Sequence, residues 1–258
     1  MCNCEVPVSP VLACPGTHTE TKDDIMLRAV IFDLDNTLTD FMRMKEVSID
    51  AAIESMIDAG LLLPAEETKR KLFEIYDREG IEDQRVFDRF LTEEFGEIDP
   101  RIHTAAILGY RRGREYTLVL YPHVKRTLLA LAKRQLKLVV LSDAPRYQAW
   151  SRLCYLGLEH FFDHVITFDD TQVRKPDRAP FEKAIELLDM HQDEVIMIGD
   201  WPARDMVGAS GVGIKTVYAK YGDTSGATHS GADFEIDDIS ELVYIVDELR
   251  GKENLTDS

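Results

Sequence analysis

Five short, nearly continuous apolar runs recur along the chain. They lie at 28–32, 137–141, 164–168, 194–198 and 214–217 and are rich in β-branched residues. A strand with one face in water alternates apolar and polar residues, whereas a strand buried on both faces does not. The pattern therefore predicts parallel strands that are covered on both faces.

Amphipathic helical patterns separate several of these runs. Apolar residues recur at three- and four-residue spacing in 122–134, 179–189 and 238–248. That spacing is typical of a helix with one buried face. Strands that alternate with helices indicate an α/β fold built on a doubly wound parallel sheet.

One long interval, 41–117, breaks the alternation because it contains no strand-like run. Four amphipathic helices are predicted there, near 44–59, 65–79, 83–95 and 101–113. A single crossover between two strands needs far less chain. We therefore interpret 41–117 as a helical domain inserted after the first strand.

The remaining chain divides around this insertion. Residues 25–40 and 118–251 are predicted to form the sheet-containing core, and 1–24 and 252–258 are predicted to be unstructured tails. Three of the four cysteines lie in the first tail, which lacks the cysteine and histidine spacing of a zinc site. We expect reduced thiols there and a cytoplasmic protein, with a metal clip as the less favoured alternative.

Charge limits the classes of partner. The 258 residues include 47 acidic and 30 basic residues, and the formal net charge is −17. This balance argues against general nucleic-acid binding and against docking on an anionic membrane, since both need a basic surface. No run approaches the roughly 20 apolar residues of a membrane span. A small molecule is the expected partner, and the pattern specifies no oligomeric state.

Acidic, hydroxyl and basic residues follow four of the predicted strands. Ligands of open α/β sheets bind beyond the carboxyl ends of the strands, so these side chains are expected to converge. They are Asp33, Asp35 and Thr37 after the first strand, Ser142 after the second, Lys175 after the third, and Asp200 and Asp205 after the fourth. Each has an ordinary alternative, because Asp and Ser also stabilise turns and cap helices.

Clustered carboxylates at this edge predict a cation. Asp33 and Asp35 are two residues apart in an extended segment and face the same side. Neighbouring carboxylates repel unless a cation or a shared proton lies between them, and Asp200 adds to the crowding. Mg²⁺ commonly binds one or two carboxylates together with water and a substrate phosphate. Lys175 and Ser142 could then hold the phosphate.

Four motifs in this order resemble those of the haloacid dehalogenase superfamily. They are DLDNT at 33–37, Ser142 after an apolar strand, KP at 175–176 and GDWPARD at 199–205. The helical insertion resembles the C1-type cap of that superfamily's subfamily I. The resemblance implies a Rossmann-like core, a mobile helical cap, a phosphoaspartate intermediate and a requirement for Mg²⁺.

The resemblance also implies roles for the matched residues. Asp33 would be the nucleophile, since a carboxylate is already ionised at neutral pH. Asp35 would protonate the leaving alkoxide and then activate water, and Thr37 would orient the acids. The binding residues would be Ser142 and Lys175 for the phosphate, and Asp33, Asp200, Asp205 and the backbone carbonyl of Asp35 for Mg²⁺.

An acid at position 35 favours a phosphatase or a phosphomutase over a dehalogenase, because an alkoxide needs a proton and a halide does not. Two positions depart from the common motifs. Asp143 stands where many relatives have Asn, and we expect it to point away from the phosphate or to cap the next helix. Arg204 precedes Asp205 where Asn or Ser is common.

Substrate choice is expected to depend on the insertion. FMRMK at 41–45 resembles archaeal-type glyceraldehyde 3-phosphate phosphatases, which implies a triose or sugar phosphate, with phosphoglycolate and nucleoside monophosphates as alternatives. Arg111, Arg112 and Arg114 are expected to form a solvated helix face rather than an anion site, Trp201 and Pro202 could shape the pocket mouth, and His123 is expected to be structural. The other function classes left open are a phosphomutase or phosphotransferase and a non-catalytic relative.

Overall fold

The computed structural model of the protein describes residues 26–251 and contains one six-stranded sheet. The strands are β1 (Ala29–Phe32), β2 (Lys137–Leu141), β3 (His164–Ile166), β4 (Val195–Gly199), β5 (Lys215–Ala219) and β6 (Phe234–Ile236). Every neighbouring pair is parallel, and the order is β3-β2-β1-β4-β5-β6. This confirms the predicted doubly wound α/β sheet. The two predicted tails lie outside the described residues.

Ten α-helices accompany the sheet in the described part of the chain. They are α1 (Phe41–Asp58), α2 (Ala65–Glu79), α3 (Val86–Phe95), α4 (Pro100–Thr117), α5 (Val124–Lys133), α6 (Arg146–Leu156), α7 (Phe168–Thr171), α8 (Arg178–Leu188), α9 (Val207–Gly211) and α10 (Leu242–Leu249). Over residues 26–251, no helix is both long enough and apolar enough to cross a membrane.

Strand β1 lies at the centre of the sheet, and all four of its residues are fully buried. Val30 and Phe32 belong to the apolar core on one face, while Ala29 and Ile31 belong to the core on the other. Successive residues of a strand point to opposite faces, so helices on both sides require a continuous apolar run. This is why the run at 28–32 predicts a strand that is buried on both faces.

Two strands differ from the sequence prediction. The run 164–168 ends as a strand at Ile166, because Thr167 caps α7 in a reciprocal capping box with Asp170. Strand β6 was not predicted. It has three residues, and its central Glu235 is exposed at the edge of the sheet. A run so short and interrupted by a charge carries too little periodicity to be recognised.

Helices α1 to α4 all lie between β1 and β2 in the chain, within the interval 41–117. They enclose an apolar cluster of their own, in which Phe90, Leu72 and Met56 are fully buried. The chain leaves and returns side by side, since Thr39 forms an antiparallel bridge with Leu120. We call helices α1 to α4 and their loops the helical insertion.

Helices α1 and α4 pack closely because α4 presents glycine at the contact. A Cβ added to Gly113 would lie 2.7 Å from the Cα of Ser48 and 3.0 Å from the carbonyl oxygen of Val47. Both neighbours are backbone atoms of α1, so neither can move without displacing the helix. Glycine is therefore the residue that allows this approach.

We predict that Gly113→Ala destabilises the protein, although alanine is the better helix former. Overpacking against backbone costs about 1–3 kcal/mol, which exceeds the gain of up to about 1 kcal/mol in helix propensity. Chemical denaturation should show the loss in the free energy of unfolding. Gly211→Ala is the matched control, because an added Cβ there meets no atom within 4 Å. Equal stability of the two variants would contradict the close packing of α1 on α4.

Candidate active site

The carboxylate of Asp33 lies directly beyond the carboxyl end of β1. The backbone N–H of Asp33 donates to the carbonyl of Ile198 at 2.9 Å, so the sheet ladder continues to this residue and holds it in place. Asp33 is 6% exposed. Its Oδ1 accepts a hydrogen bond of 2.5 Å from the ammonium of Lys175. The first motif is therefore placed by a central strand and fixed by a buried cation.

Lys175 connects Asp33 to a second carboxylate. Its Nζ donates to Asp205 Oδ1 at 2.6 Å and to the carbonyl oxygen of Leu141 at 3.2 Å. The other oxygen of Asp205 accepts from the backbone N–H of Trp201 at 3.0 Å. A Cβ on Gly199 would overlap the Asp205 carboxylate, so glycine at the end of β4 makes room for this acid.

Asp33, Asp200 and Asp205 form one buried cluster. One carboxylate oxygen from each lies within 4.8 Å of the others. The hydroxyl of Thr37 is 3.3 Å from both Asp33 Oδ2 and Asp200 Oδ1. A hydroxyl has a single proton, so Thr37 can donate to one of these acids at a time. The structure thus brings together residues from the first and fourth motifs at one point.

Negative charge exceeds positive charge in this cluster. Burial raises the pKa of Asp200 to about 9, and the nearby carboxylates of Asp33 and Asp205 add to the rise. Burial likewise raises the pKa of Asp205 to about 6, against the opposing effect of Lys175. Burial also raises the pKa of Asp33, with Lys175 again opposing it. One lysine cannot neutralise three buried carboxylates, so a divalent cation fits this donor set.

Asp35 lines the same cavity as Asp33 but its carboxylate is not part of the cluster. Its Oδ2 accepts a hydrogen bond of 3.0 Å from Arg152 Nη1. Its Oδ1 is buried and has no hydrogen-bond partner among the described residues. Burial raises the pKa of Asp35 to about 6, although Arg152 lowers it. One oxygen is therefore held in place, and the other is left without a partner among the described residues.

Arg152 is a site residue that the sequence reasoning missed. It lies on the buried face of α6 together with Ala149 and Leu153. Besides Asp35, it binds Glu82 in the loop between α2 and α3. The sequence signal for Arg152 was its position on the apolar face of a predicted helix. A charged residue is rare at such a position unless its charge is paired, so this arginine indicated a buried acidic partner.

A cavity of about 590 Å³ opens above these residues. Six of the predicted site residues line it, namely Asp33, Asp35, Ser142, Lys175, Asp200 and Asp205. Thr37 is fully buried behind them. The opposite wall comes from the helical insertion, chiefly the loop 79–85 with Phe41 and Met42. The insertion therefore covers the carboxyl edge of the sheet.

Asp143 does not cap a helix, and that alternative of the prediction was wrong. Helix α6 has Pro145 at its N-cap and no side-chain cap. Asp143 instead accepts from the backbone N–H of Lys175 at 2.9 Å and from Arg204 Nη1 at 3.2 Å. A charged side chain that holds the loop of Lys175 explains why an acid is tolerated beside the site.

The remaining candidates occupy different places. Trp201 lines the cavity with 40% of its surface exposed, and the guanidinium of Arg204 stacks on its ring at 4.0 Å. Pro202 is buried and does not line the cavity. His123 lies outside the cavity lining, and its Nδ1 is 2.8 Å from Asp238 Oδ2.

The chain is similar to known proteins over most of its length. A family model of haloacid dehalogenase-like hydrolases matches residues 27–213. The glyceraldehyde 3-phosphate phosphatase of Methanocaldococcus jannaschii is 33% identical over 228 residues, covering 87% of this chain and 99% of that protein. The protein of the same name from Methanothermobacter thermautotrophicus is 32% identical over 226 residues, covering 86% and 100%.

A solved structure supports the same relationship. The crystal structure of a HAD phosphatase from Thermococcus onnurineus superposes with a TM-score of 0.67 at 25% identity. The match covers 87% of this chain and all of that one. The similarity therefore includes the helical insertion as well as the sheet, and the resemblance inferred from the four motifs is confirmed.

We predict that Asp200→Asn stabilises the metal-free protein at pH 8 by about 1–3 kcal/mol, because Asn is neutral without the proton that Asp200 must take up when it is buried beside two other acids. A folded-state pKa of about 9 means that Asp200 costs stability increasingly as pH rises from about 4 to 9. The gain should therefore shrink towards pH 5.

Urea denaturation in chelator at both pH values measures this difference. Asp50→Asn is the matched control, because Asp50 lies on α1 outside the cluster and half of its side chain is exposed. A stabilisation that does not change with pH would contradict the charge crowding.

Proposed function

The chain belongs to the haloacid dehalogenase-like hydrolase family and is a phosphatase, and from this premise we propose a Mg²⁺-dependent phosphomonoesterase that acts through an aspartyl-phosphate. The observation that carries the proposal is the buried cluster of Asp33, Asp200 and Asp205 with Lys175 between two of its acids. A divalent cation bound there would supply the positive charge that the cluster lacks. The cation could then bind the phosphate group of the substrate.

Asp33 is the nucleophile in this proposal. One of its oxygens attacks phosphorus while the bond from phosphorus to the ester oxygen breaks. Lys175, 2.5 Å from Asp33 Oδ1, holds the carboxylate in place and favours its ionised form. Ser142 lines the cavity and can donate its hydroxyl to a phosphate oxygen. A bound Mg²⁺, held by the acidic cluster and the backbone carbonyl of Asp35, would neutralise charge on the transferring phosphoryl group.

Asp35 is the general acid and then the general base. It gives a proton to the departing alkoxide, and it later takes a proton from the water that attacks the aspartyl-phosphate. That second attack releases inorganic phosphate and restores the Asp33 carboxylate. The geometry supports this role because Arg152 holds Asp35 Oδ2 and leaves Asp35 Oδ1 without a partner in residues 26–251.

We propose that residues 41–117, which contain the helical insertion, act as a cap. Its loop 79–85 forms one wall of the cavity, and Glu82 in that loop binds Arg152 of the core. Closure of such a cap excludes water from the phosphoryl transfer. The bond from Glu82 to Arg152 would therefore form part of the closed state.

The proposed substrate is a small phosphorylated metabolite, and a triose phosphate is the first choice. Two relatives at 33% and 32% identity carry the name glyceraldehyde 3-phosphate phosphatase. A cavity of about 590 Å³ with a covering insertion also suits a small ester rather than a phosphoprotein.

We expect phosphate release from glyceraldehyde 3-phosphate that requires both Mg²⁺ and Asp33. Phosphoglycolate and nucleoside monophosphates are tested as alternative substrates, and phosphate release from each ester is measured with Mg²⁺ and with chelator. Asp33→Asn should lower kcat by about 10³-fold or more, because the nucleophile is lost. Asp50→Asn, the same chemical change on the surface of α1, should leave turnover unchanged. An active Asp33→Asn enzyme would refute the mechanism, and an isomerised product without phosphate would indicate a mutase.

Asp35→Asn should separate the two half-reactions when p-nitrophenyl phosphate is the substrate. Nitrophenolate needs no proton to leave, so we expect a burst of one nitrophenolate per active site followed by slow turnover. Glyceraldehyde 3-phosphate should give no burst, because its alkoxide needs the missing proton. Stopped-flow absorbance measures the burst. Fast steady turnover of either ester, or the absence of the nitrophenolate burst, would argue against the acid–base role.

A further inference from the structure

A second cavity of about 560 Å³ lies between the helical insertion and α6. Its walls include residues of α1, α2, α4 and α6, among them Lys45, Tyr76, Tyr110 and Arg152. It shares the loop residues 82–84 with the first cavity. None of the three clustered acids, Asp33, Asp200 and Asp205, lines it. The proposed phosphatase chemistry therefore gives this second cavity no role.

Lys45 is a buried cation at this cavity. It is 2% exposed, and its Nζ lies 4.1 Å from the ring centre of Tyr76 and 5.3 Å from that of Tyr110. Within residues 26–251, nothing forms a hydrogen bond or an ion pair with this ammonium. Burial lowers the pKa of Lys45 to about 8. The carboxylates of Glu82, Asp35 and Asp83 favour the charged ammonium without contacting it, and aromatic rings solvate an ammonium less well than a contacting anion does.

Unpaired cations outnumber unpaired acids around this cavity. Arg111 and Arg114 also line it, and neither forms an ion pair with another described residue. Of its three acids, Glu82 binds Arg152 and Asp83 binds Arg89, while Glu115 alone is unpaired in the described chain. Among the groups without an ion pair, three cations thus face one acid, and the whole lining holds four cations and three acids, in a protein whose net charge is −17. This local excess of positive charge favours an anionic ligand.

We propose that this second cavity binds the phosphate or carboxylate group of a small metabolite, with Lys45 as the buried ligand and Arg114 and Arg111 nearer the opening. The expectation that the arginine cluster is only a solvated helix face is thereby revised for these two residues. Arg152 stands between the sites, since it lines the second cavity and binds Asp35 of the first. A ligand there would lie beside the residue that orients the proposed general acid.

The binding test is a titration with inorganic phosphate in chelator, followed by calorimetry or ³¹P nuclear magnetic resonance. Without a cation, eight acidic and four basic residues line the first cavity, so it should repel phosphate. We expect wild-type protein to bind phosphate, and Lys45→Met to weaken binding about tenfold or more, since one buried charge-assisted contact is lost. Arg114→Gln, which lies at a half-buried position, should weaken it about threefold.

Two controls assign the effect to the second cavity. Lys69→Met removes the same charge from α2 outside both cavities, and Ser142→Ala alters the phosphate contact of the first cavity. Both should bind phosphate in chelator as the wild type does. Unchanged binding by Lys45→Met and Arg114→Gln, a loss caused by Ser142→Ala, or no phosphate binding by the wild-type protein would overturn the proposal.

The anionic group has two possible sources, a separate metabolite or the far end of a substrate that reaches both cavities. Steady-state kinetics with Mg²⁺ distinguish them, and this arm rests on the proposed function whereas the titration in chelator does not. For a substrate group, Lys45→Met should raise KM for a bisphosphate and leave KM for a monophosphate unchanged. For a separate metabolite, KM should shift for neither ester, and added 3-phosphoglycerate should alter the rate of the wild-type enzyme but not of Lys45→Met.

Discussion

Three carboxylates and one ammonium are buried together at the carboxyl edge of the sheet, and the surrounding structure is arranged around that charge imbalance. The cost of burying a charge is large unless it is paired, so each acid has a specific partner. Lys175 contacts Asp33 and Asp205, the Thr37 hydroxyl lies between Asp33 and Asp200, and a backbone N–H meets Asp205. The remaining negative charge is what suits the site to a divalent cation.

Arg152 extends the same principle from the core to the helical insertion. Its guanidinium lies over the ring of Phe41 at 4.5 Å and joins Asp35 to Glu82. A single buried cation is therefore neutralised by one acid from the sheet edge and one from the insertion. Movement of the insertion would take Glu82 away from Arg152 and leave Asp35 as its remaining acid, which links the position of the insertion to the surroundings of the proposed general acid.

The two cavities differ in the sign of their unpaired charge. The first has an excess of carboxylates and can hold a phosphate only with a cation, whereas the second has an excess of cations around Lys45. Both are bounded by the loop 82–84. The helical insertion thus borders two cavities whose unpaired charges have opposite signs.

The local sequence pattern was sufficient to predict much of the fold and of the candidate site. The apolar run before Asp33, the order of the motifs and the strand-free interval 41–117 were enough for the parallel sheet, the family and the edge at which the acids meet, because strand burial and chain order are encoded in neighbouring residues. The partners of Arg152, Asp143 and Lys45 were decided only by tertiary structure. Each pairs or fails to pair with groups from distant segments, and the free energy of a buried charge depends on those groups rather than on its neighbours in sequence.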